Sequence, residues 1–278
     1  MKRTQPREFA FQKVQTVQSV QTNGINHIND IYGEIAAYYD IIYGADIDYN
    51  AESLCLHDIF KKYKVKTLLD ISCGTATHLI HLGKQGYSGN GFDISEKMLE
   101  IANEKAIKES LDLNLQIADM KSLQTHNQFD AVFSLYALGL NSTPNDVECI
   151  LRNIYPLVKN KGIFVFNVMN ADCDYGDMSS PGTVTFDAES IENVKAAWIY
   201  HTTIEGNIQH LDAVYIIEDK GNVSMFVHNH RIVSFQLAEI KRITEAAGFQ
   251  IAAVYGSTTG LVEFTGQEPA MMVVSRKL

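Results

Sequence analysis

Short apolar runs alternate with amphipathic stretches along the middle of the chain. Each apolar run ends at a turn-forming residue and leads into apolar positions at helical spacing, which indicates buried parallel strands alternating with helices. The repeat of roughly 20–30 residues predicts a doubly wound α/β sheet with right-handed crossovers. The predicted strands lie in VKTLLDIS, YSGNGFDIS, LNLQIADM, QFDAVFSLYAL and KGIFVFNVMN, and the helices among them in TATHLIHLGKQG, SEKMLEIANEKAIKES (N-cap Ser95) and PNDVECILRNIYPLV.

The pattern changes between about Asp172 and Phe235. This stretch is rich in β-branched and aromatic residues and carries turn signals such as EGN and DKGN, which are typical of antiparallel hairpins. A helix in QLAEIKRITEAAGF and strands in QIAAVYGST and PAMMVVSRKL follow it. We therefore expect one doubly wound sheet of seven mostly parallel strands, finished by a hairpin, with an antiparallel β insert at 172–235.

The N-terminal part has a different pattern of apolar and polar residues. Residues 26–63 carry apolar and aromatic positions at helical spacing, with a break near Gly44, and we expect them to form a helical lid. Residues 1–24 are rich in Gln, Thr and Val and are predicted to be a flexible tail. The expected organisation is this tail and a single domain over 25–278, whose insert at 172–235 covers the active site.

Composition and charge narrow the possible partners. The chain has 278 residues and a net charge of −10, from 33 acidic and 23 basic side chains, so we expect no nucleic-acid partner. No apolar run approaches the ~18 residues of a membrane span, and the N-terminus lacks the apolar stretch of a secretory signal. We expect no membrane partner and a cytoplasmic location. The cysteines lack paired spacing, which favours free thiols over zinc or disulfides; they are Cys55, Cys73, Cys149 and Cys173.

Candidate cofactor chemistry is concentrated in LLDISCGTATHL, at 68–79. In a doubly wound sheet, ligands bind at the carboxyl ends of the strands, where this loop would lie. Gly74 allows the backbone to approach a ligand closely. The loop nevertheless lacks the three glycines of the G-x-G-x-x-G fingerprint that binds a pyrophosphate. The sequence therefore predicts a cofactor loop for a ligand without a pyrophosphate.

Acidic residues end three successive predicted strands. Asp70 could hold an ammonium group, Asp93 could accept both hydroxyls of a ribose, and Asp119 could take the amino group of a purine. Each acid alone could equally be a turn former or a helix cap. Three of them at one sheet edge favour a shared ligand. S-adenosylmethionine, a cationic nucleoside without phosphate, fits the set.

The ordered series LLDISCGTATHL, GFDISEKMLEIA, LQIADM, FDAVFSL and KNKGIFVFN resembles the class I methyltransferases that depend on S-adenosylmethionine. The resemblance covers roughly residues 32–278 and implies a Rossmann-like methyltransferase fold. IAAYYDIIYG and CGTATHL are most similar to small-molecule N-methyltransferases, in particular those that dimethylate amino groups of nucleotide-linked deoxysugars. Ala76 departs from the family, which usually has glycine there, and this bears on cofactor affinity more than on cofactor identity.

The resemblance implies cofactor contacts in three groups. Tyrosines of the N-terminal helix cover the cofactor, the loop after the first strand lines its methionine end, and residues after strands two to four hold the adenosine and close the pocket. Because the tyrosines lie at helical spacing, some of them could instead belong to the core. In that order the residues are Tyr32, Tyr39 and Tyr43; Asp70, Cys73, Gly74 and Ala76; and Asp93, Ile94, Met98, Asp119, Met120, Ser134 and Leu135.

The implied reaction is methyl transfer from S-adenosylmethionine to a small-molecule acceptor, first of all an amine nitrogen, by in-line displacement. An amine attacks only when neutral, which calls for a base. His228 and His230 point the same way on a predicted strand, and they could also be a half-exposed sheet face. No metal is expected, because His78 and His81 share a helix face without a nearby carboxylate ligand. The candidate bases are Tyr136, His201, His228 and His230.

Other functions stay open at this point. O-methylation of a small metabolite and non-catalytic binding of S-adenosylmethionine both agree with the same residues. A nicotinamide-dependent oxidoreductase would need the missing glycines. The acidic chain suits a neutral or cationic acceptor better than a polyanion, which argues against a nucleotide-linked sugar. The expected product is S-adenosylhomocysteine, the expected partner is a small-molecule methyl acceptor, and a homodimer is a possible assembly.

Overall fold

The computed structural model describes residues 28–123, 125, 127–175 and 183–278, apart from the side chains of 28–31 and 183. The tail predicted at 1–24 lies outside the described residues. The strands are β1 Thr67–Asp70, β2 Ser88–Asp93, β3 Asn114–Ile117, β4 Phe129–Ser134, β5 Val158–Asn170, β6 Thr183–Ile191, β7 Val194–Glu205, β8 Ile208–Asp219, β9 Asn222–Phe235, β10 Phe249–Tyr255 and β11 Ala270–Lys277. The helices are α1 Ile28–Ile35, α2 Tyr39–Gly44, α3 Tyr49–Lys62, α4 Thr77–Lys84, α5 Glu96–Lys108, α6 Pro144–Ile154 and α7 Leu237–Ala246.

The described strands form one continuous sheet in the order β3-β2-β1-β4-β5-β9-β8-β7-β6, with β11 also beside β5 and β10 beside β11. Strands β1 to β5 are parallel to one another, and β11 is antiparallel to both of its neighbours, β5 and β10. The strand order reverses at β1, so the carboxyl ends of β1, β2 and β4 surround the switch point where such folds bind ligands. The predicted doubly wound fold is confirmed.

Helix ends follow the sequence signals closely. The predicted break near Gly44 is confirmed, because α2 ends there and α3 begins at Tyr49. The Asp48 side chain caps α3 by accepting a hydrogen bond from the Ala51 N–H at 2.9 Å. Ser95 caps α5 as predicted, since its Oγ accepts from the Met98 N–H. These caps fix the residues at which α3 and α5 begin.

The two faces of the sheet bury separate apolar clusters. Adjacent residues of a strand point to opposite faces, and Leu68 and Leu69 accordingly belong to different clusters. Phe60 of α3 packs on the Leu68 side, and Ile150 of α6 packs on the Leu69 side. Both faces are therefore covered by helices, and the carboxyl edge is left for a ligand.

The insert is a meander of four antiparallel strands, β6 to β9. Its last hairpin turns over two residues, Lys220 and Gly221, whose φ angles of +51° and +82° fit the tight turn that matches strand twist. The end of β9 also pairs in parallel with the end of β5, through Met169 with Ser234 and the next residue pair. The insert is thus an extension of the main sheet at its carboxyl edge.

The N-terminal helices pack on one face of this insert. Ile35 and Ile42 are fully buried against Trp198 and Tyr215 of β7 and β8. Trp198 therefore belongs to a core that is shared between the insert and the N-terminal helices. Asp40 of α2 ties the same unit to the loop after β1, since its carboxylate accepts from the Thr75 hydroxyl at 2.6 Å.

The Gly139→Ala substitution tests how closely the insert approaches the sheet edge. A Cβ at Gly139 would lie 2.7 Å from the backbone oxygen of Val233 in β9, so we expect a loss of about 1–3 kcal/mol of stability and a Tm lower by roughly 2–10 °C. The measurement is thermal unfolding followed by circular dichroism. Gly44→Ala is the control, because its Cβ meets nothing within 4 Å and should not lower Tm. Equal Tm values for the two variants would contradict the close approach.

Candidate functional site

The loop between β1 and α4 lies at the switch point and is held by backbone bonds to both neighbouring strands. The Ile71 N–H donates to the Phe133 carbonyl of β4, and the Cys73 N–H donates to the Phe92 carbonyl of β2. Gly74 has a φ of +52°, which a residue without Cβ adopts at no steric cost. Its N–H donates to Asp93 Oδ2 at 2.8 Å. The loop is thereby fixed to the strand that ends in Asp93.

A first cavity of about 190 Å³ opens at this loop. Of the fourteen residues expected to bind the cofactor, nine line it. The carboxylates of Asp93 and Asp119 face it from the ends of the second and third strands, with apolar side chains between them. The nine are Tyr32, Tyr39, Gly74, Asp93, Ile94, Met98, Asp119, Met120 and Leu135.

The other five expected cofactor residues lie outside the lining of this cavity. Asp70 and Ser134 are buried at the strand ends behind the loop. The Asp70 carboxylate accepts from the Ser72 N–H at 3.1 Å, and the Ser134 hydroxyl lies 2.8 Å from the Ser72 hydroxyl. Cys73 is buried among apolar side chains. These groups lie behind the loop and stabilise it, and they do not line the cavity.

Ala76 and Tyr43 complete the five. Ala76 is fully buried with a φ of +58°, the left-handed conformation that favours glycine. The backbone shape expected for the family's glycine is therefore kept, at a steric cost of about 1–2 kcal/mol for a residue with Cβ. Tyr43 lines a second cavity instead.

Burial controls the ionisation of the two strand-end acids. Burial raises the pKa of Asp70 to about 8, so its carboxyl is largely protonated at neutral pH unless a cation lies beside it. Burial also raises the pKa of Asp93, although backbone N–H groups of Ser95 and Gly74 oppose that rise. Ser95 donates to Asp93 Oδ1 at 2.9 Å, and Gly74 donates to the other oxygen. Asp93 is thus oriented before any ligand binds.

A second cavity of about 210 Å³ adjoins the first. The two share a wall made by Tyr32, Tyr39, Tyr136 and Leu140. The second cavity lies between the sheet edge and the insert, which supplies Leu211, His230 and Ile232. Its remaining lining residues are Tyr43, Ile47, Gly139, Asn167, Val168 and Met169.

The structure brings two of the four candidate bases to this cavity. Tyr136 and His230 line it, and His228 is buried next to His230 with ring centroids 6.1 Å apart. His201 lies elsewhere, in a surface ion pair with Asp212 at 3.3 Å. The reason is strand alternation: Asp212 pairs with both His201 and Asn229, so His201 faces away from the two buried histidines.

His230 is a buried histidine without a hydrogen-bond partner for either ring nitrogen among the described residues. Burial, and to a lesser degree the neighbouring His228, lower the pKa of His230 to about 4. The imidazole is therefore neutral at physiological pH and keeps a free lone pair. His228 differs, because its Nε2 lies 3.4 Å from a carboxylate oxygen of Glu34.

Aromatic rings of the N-terminal helices cover both cavities. Tyr39 lies 6.3 Å from Tyr32 and 4.5 Å from Tyr43, measured between ring centroids. Tyr32 in turn lies 6.2 Å from the ring of His230. Burial raises the pKa of Tyr32 and Tyr39, so these phenols stay neutral. The cover is therefore apolar in its bulk, with hydroxyl groups at its edges.

Several lining residues were missed by sequence reasoning. Ile71 and Ser72 follow β1, and the others follow β3 and β4. The expectation that all three strands end at the ligand edge is the signal that could have indicated these loops. The expectation that His78 has no nearby carboxylate was wrong, because the fold brings Glu52 of α3 to 2.8 Å from its Nε2. The described residues contain no cluster of three or more potential ligands for a metal. The missed residues of the first cavity are Ile71, Ser72, Ala118, Lys121, Ala137, Leu140, Asn141 and Ser142.

Helix length and polarity bear on membrane insertion. Among the helices that the structure describes, none has the length and apolar character needed to span a membrane.

Known proteins share this arrangement. Residues 68–162 match the methyltransferase domain family. The chain is 28% identical over 236 residues to dTDP-3-amino-3,4,6-trideoxy-alpha-D-glucopyranose N,N-dimethyltransferase of Streptomyces venezuelae, covering 83% of this chain and 96% of that protein. It is 26% identical over 243 residues to dTDP-3-amino-3,6-dideoxy-alpha-D-glucopyranose N,N-dimethyltransferase of Streptomyces fradiae, covering 85% and 92%.

Solved structures agree in fold. DesVI of Streptomyces venezuelae superposes with a TM-score of 0.73 at 25% identity, over 87% of this chain and 98% of that one. The sugar N-methyltransferase KedS8 of Streptoalloteichus has a TM-score of 0.70 at 18% identity, over 96% and 99%. The matched domain contains the loop at Gly74 and the strand ends at Asp93 and Asp119. The chain is an S-adenosylmethionine-dependent methyltransferase of the class I fold, similar to the N-methyltransferases of amino sugars.

Proposed function

We propose that this methyltransferase transfers its methyl group to an amine nitrogen of a small-molecule acceptor. The observation that carries the proposal is the second cavity, which meets the cofactor cavity at a wall that includes three tyrosines. It contains a neutral His230 whose ring nitrogens have no hydrogen-bond partner within the described part of the chain. Two relatives that cover most of the chain are named as N,N-dimethyltransferases of amino sugars. An amine in the second cavity would therefore lie beside the cofactor.

The chemistry of the first cavity fits S-adenosylmethionine. Asp93 would accept the ribose hydroxyls, Asp119 would accept from the adenine amino group, and Ile94 and Met98 would pack on the adenosine. An ammonium group near the loop would lower the raised pKa of Asp70 and ionise it. The bound cofactor supplies an activated methyl group on a sulfonium.

The protein's own contribution is orientation and the exclusion of water. Aligning an acceptor with the methyl group can supply up to about 7–11 kcal/mol of the barrier. Tyr32 and Tyr39 lie at the junction of the two cavities, and Tyr43 lines the second. A dry aromatic environment favours a transition state in which charge is dispersed. The lid residues would thus act by closing the junction around both reactants.

His230 would orient the amine by accepting a hydrogen bond from its N–H, and solvent would take the proton, because a group with a pKa this low is a weak base. Its pKa of about 4 keeps the imidazole neutral, so a ring nitrogen can accept a hydrogen bond from an amine N–H. Such a bond would direct the nitrogen lone pair away from His230. Tyr136, which lines the same cavity, would contact the acceptor as a neutral phenol.

The acceptor class we favour is an amino group on a deoxysugar. Two observations support it: the relatives' named substrates and a second cavity lined by tyrosines, a histidine and apolar side chains. The net charge of −10 opposes the binding of a diphosphate. The free amino sugar and its nucleotide-linked form are therefore separate candidates that one assay can compare.

Replacing Asp93 tests the cofactor assignment. We expect Asp93→Ala to weaken binding of S-adenosylmethionine about tenfold or more, because hydrogen bonds to a charged group contribute ~1.5–3 kcal/mol each. The measurement is calorimetric titration, with Tm recorded because the variant also loses bonds to Gly74 and Ser95. The control is Asp112→Ala, at an exposed acid outside both cavities. Unchanged affinity in a folded Asp93→Ala protein would contradict the assignment.

The acceptor is tested by mass spectrometry with matched sugars. We expect dTDP-3-amino-3,4,6-trideoxy-α-D-glucopyranose, or the same amino sugar without the nucleotide, to gain one or two methyl groups on nitrogen. The 3-hydroxy sugar should not react, because its oxygen is a weaker nucleophile and needs stronger activation. Methylation of the hydroxy sugar alone would make the protein an O-methyltransferase and reject the proposal.

The neutral state of His230 has a measurable consequence for stability. In the unfolded chain its pKa is near 6.5, and in the fold it is about 4, so the unfolded state binds more protons between these values. The free energy of unfolding then falls as pH falls. For this residue alone, it is about 2 kcal/mol lower at pH 5 than at pH 7.5. The free energy of unfolding, measured by urea unfolding at pH 7.5 and pH 5, should therefore decrease less in His230→Leu than in wild type. The decrease that remains comes from the other titrating groups, which both proteins share.

The exposed His201 provides the control for this measurement. His201→Leu should keep the wild-type pH dependence, since this residue lies in a surface pair with Asp212. If His230→Leu and wild type lose equal stability between pH 7.5 and pH 5, His230 is not held neutral by the fold.

A further inference from the structure

Glu52 is a buried carboxylate that lies outside both cavities. It sits in the first turn of α3 and is 1% exposed. Its Oε2 lies 2.8 Å from His78 Nε2, while its Oε1 accepts from the hydroxyls of Tyr136 and Thr258. The carboxylate thus joins α3, α4, the loop after β4 and the loop after β10. A buried acid is tolerated only when its oxygens are paired in this way.

The contacts keep this carboxylate ionised. Burial alone would raise the pKa of Glu52, but hydrogen bonds from His78, Thr258 and Tyr136 outweigh burial and lower the pKa. A charged acceptor forms stronger hydrogen bonds than a neutral one. The phenol of Tyr136 is therefore held firmly by its hydroxyl.

Tyr136 is held at both ends and in an unfavourable backbone conformation. Its φ is +63°, which costs a residue with Cβ about 1–2 kcal/mol and persists only where surrounding contacts impose it. Its N–H donates to Asn167 Oδ1 at 2.6 Å, and its hydroxyl donates to Glu52. Its side chain lines both the cofactor cavity and the acceptor cavity.

We propose that Glu52 is a positioning residue that holds Tyr136 as the wall between the two cavities and affects methyl transfer only through Tyr136. The proposal rests on the proposed function, in which the second cavity takes the amine. Without the carboxylate, the hydroxyl of Tyr136 loses its charged partner and the strained backbone can relax. The wall would then shift, and the acceptor would lose its fixed position relative to the methyl group.

The variants separate position from charge. Glu52→Gln keeps a carbonyl oxygen that can accept from Tyr136 and Thr258, and its amide nitrogen stays within reach of His78 Nε2. Glu52→Leu has similar volume but accepts no hydrogen bond. Tyr136→Phe breaks the same contact from the other side and leaves Glu52 paired with His78 and Thr258. Glu109→Leu is the control, at a surface glutamate that pairs with Lys84.

The first measurement needs no acceptor. Crystal structures with S-adenosylhomocysteine are expected to show Tyr136 unmoved in Glu52→Gln and Glu109→Leu. In Glu52→Leu we expect the Tyr136 ring to leave the wall or its φ to leave the left-handed region. If Glu52→Leu does not fold, Tyr136→Phe answers the same question through the position of the phenylalanine ring. A ring and backbone that keep their wild-type positions in these variants would overturn the proposal.

The second measurement is kinetic, with the amino sugar as acceptor. We expect kcat/KM for the acceptor to fall about 10–100-fold in Glu52→Leu and Tyr136→Phe, as for a misplaced reactant, and to stay within about threefold of wild type in Glu52→Gln. The affinity for S-adenosylhomocysteine by calorimetry should fall by a smaller factor than kcat/KM for the acceptor, because Tyr136 is one of many residues that line the first cavity. Glu52→Leu combined with Tyr136→Phe should be no worse than the poorer single variant, because both remove one contact.

The outcomes distinguish this proposal from the proposed function. If the fold-losses in kcat/KM of the two single variants multiply in the double variant, Glu52 acts independently of Tyr136. That result would reject the positioning role. If wild type methylates neither sugar amine, the proposed function fails, and the crystal structures still decide whether Glu52 holds Tyr136.

Discussion

One hydrogen bond joins the two parts of the cofactor site, from the Gly74 N–H to Asp93 Oδ2 at 2.8 Å. It forms because β1 and β2 are adjacent and parallel, so the loop after one strand must pass the end of the other. The same carboxylate that would bind a ribose therefore also shapes the loop beside the methionine. Ser95 holds the second oxygen, which leaves Asp93 little freedom. The site is oriented by the sheet before a ligand arrives, and this lowers the ordering cost of binding.

The acceptor side depends on a different part of the molecule. The second cavity is enclosed by the insert, the N-terminal helices and the loop after β4. The insert and those helices share a core around Trp198 and Tyr215, so they form one packed unit. This unit meets the cofactor half through Asp40 with Thr75 and Lys105, through Asn141 with Arg231, and through β9 with β5. Under the proposed function, cofactor binding and acceptor choice therefore depend on separate sets of residues that meet at the tyrosine wall.

The fold and the cofactor side could be predicted because their signals are local. An apolar run followed by an acid, as at Asp70 and Asp93, predicts both a strand and its ligand end. Long-range contacts could not be predicted. The pairing of Glu52 with Tyr136 spans 84 residues, and no periodicity encodes it. The sequence also did not distinguish His201 from His230, because the face of each histidine depends on strand register, and register depends on turns whose length only the structure shows.

The two-residue turn at Lys220 and Gly221 connects β8 to β9, and its length determines which side chains of β9 face the second cavity. Side chains alternate along β9, so His230 faces the second cavity and its neighbour Asn229 faces the surface. One residue more or less in the turn would exchange the two faces of the strand. An amide would then stand where an imidazole now lies, and the cavity would gain a fixed donor in place of a free lone pair. Under the proposed function, the preference of this pocket for hydrogen-bond donors would thus be set by the length of a turn whose residues lie outside the pocket lining.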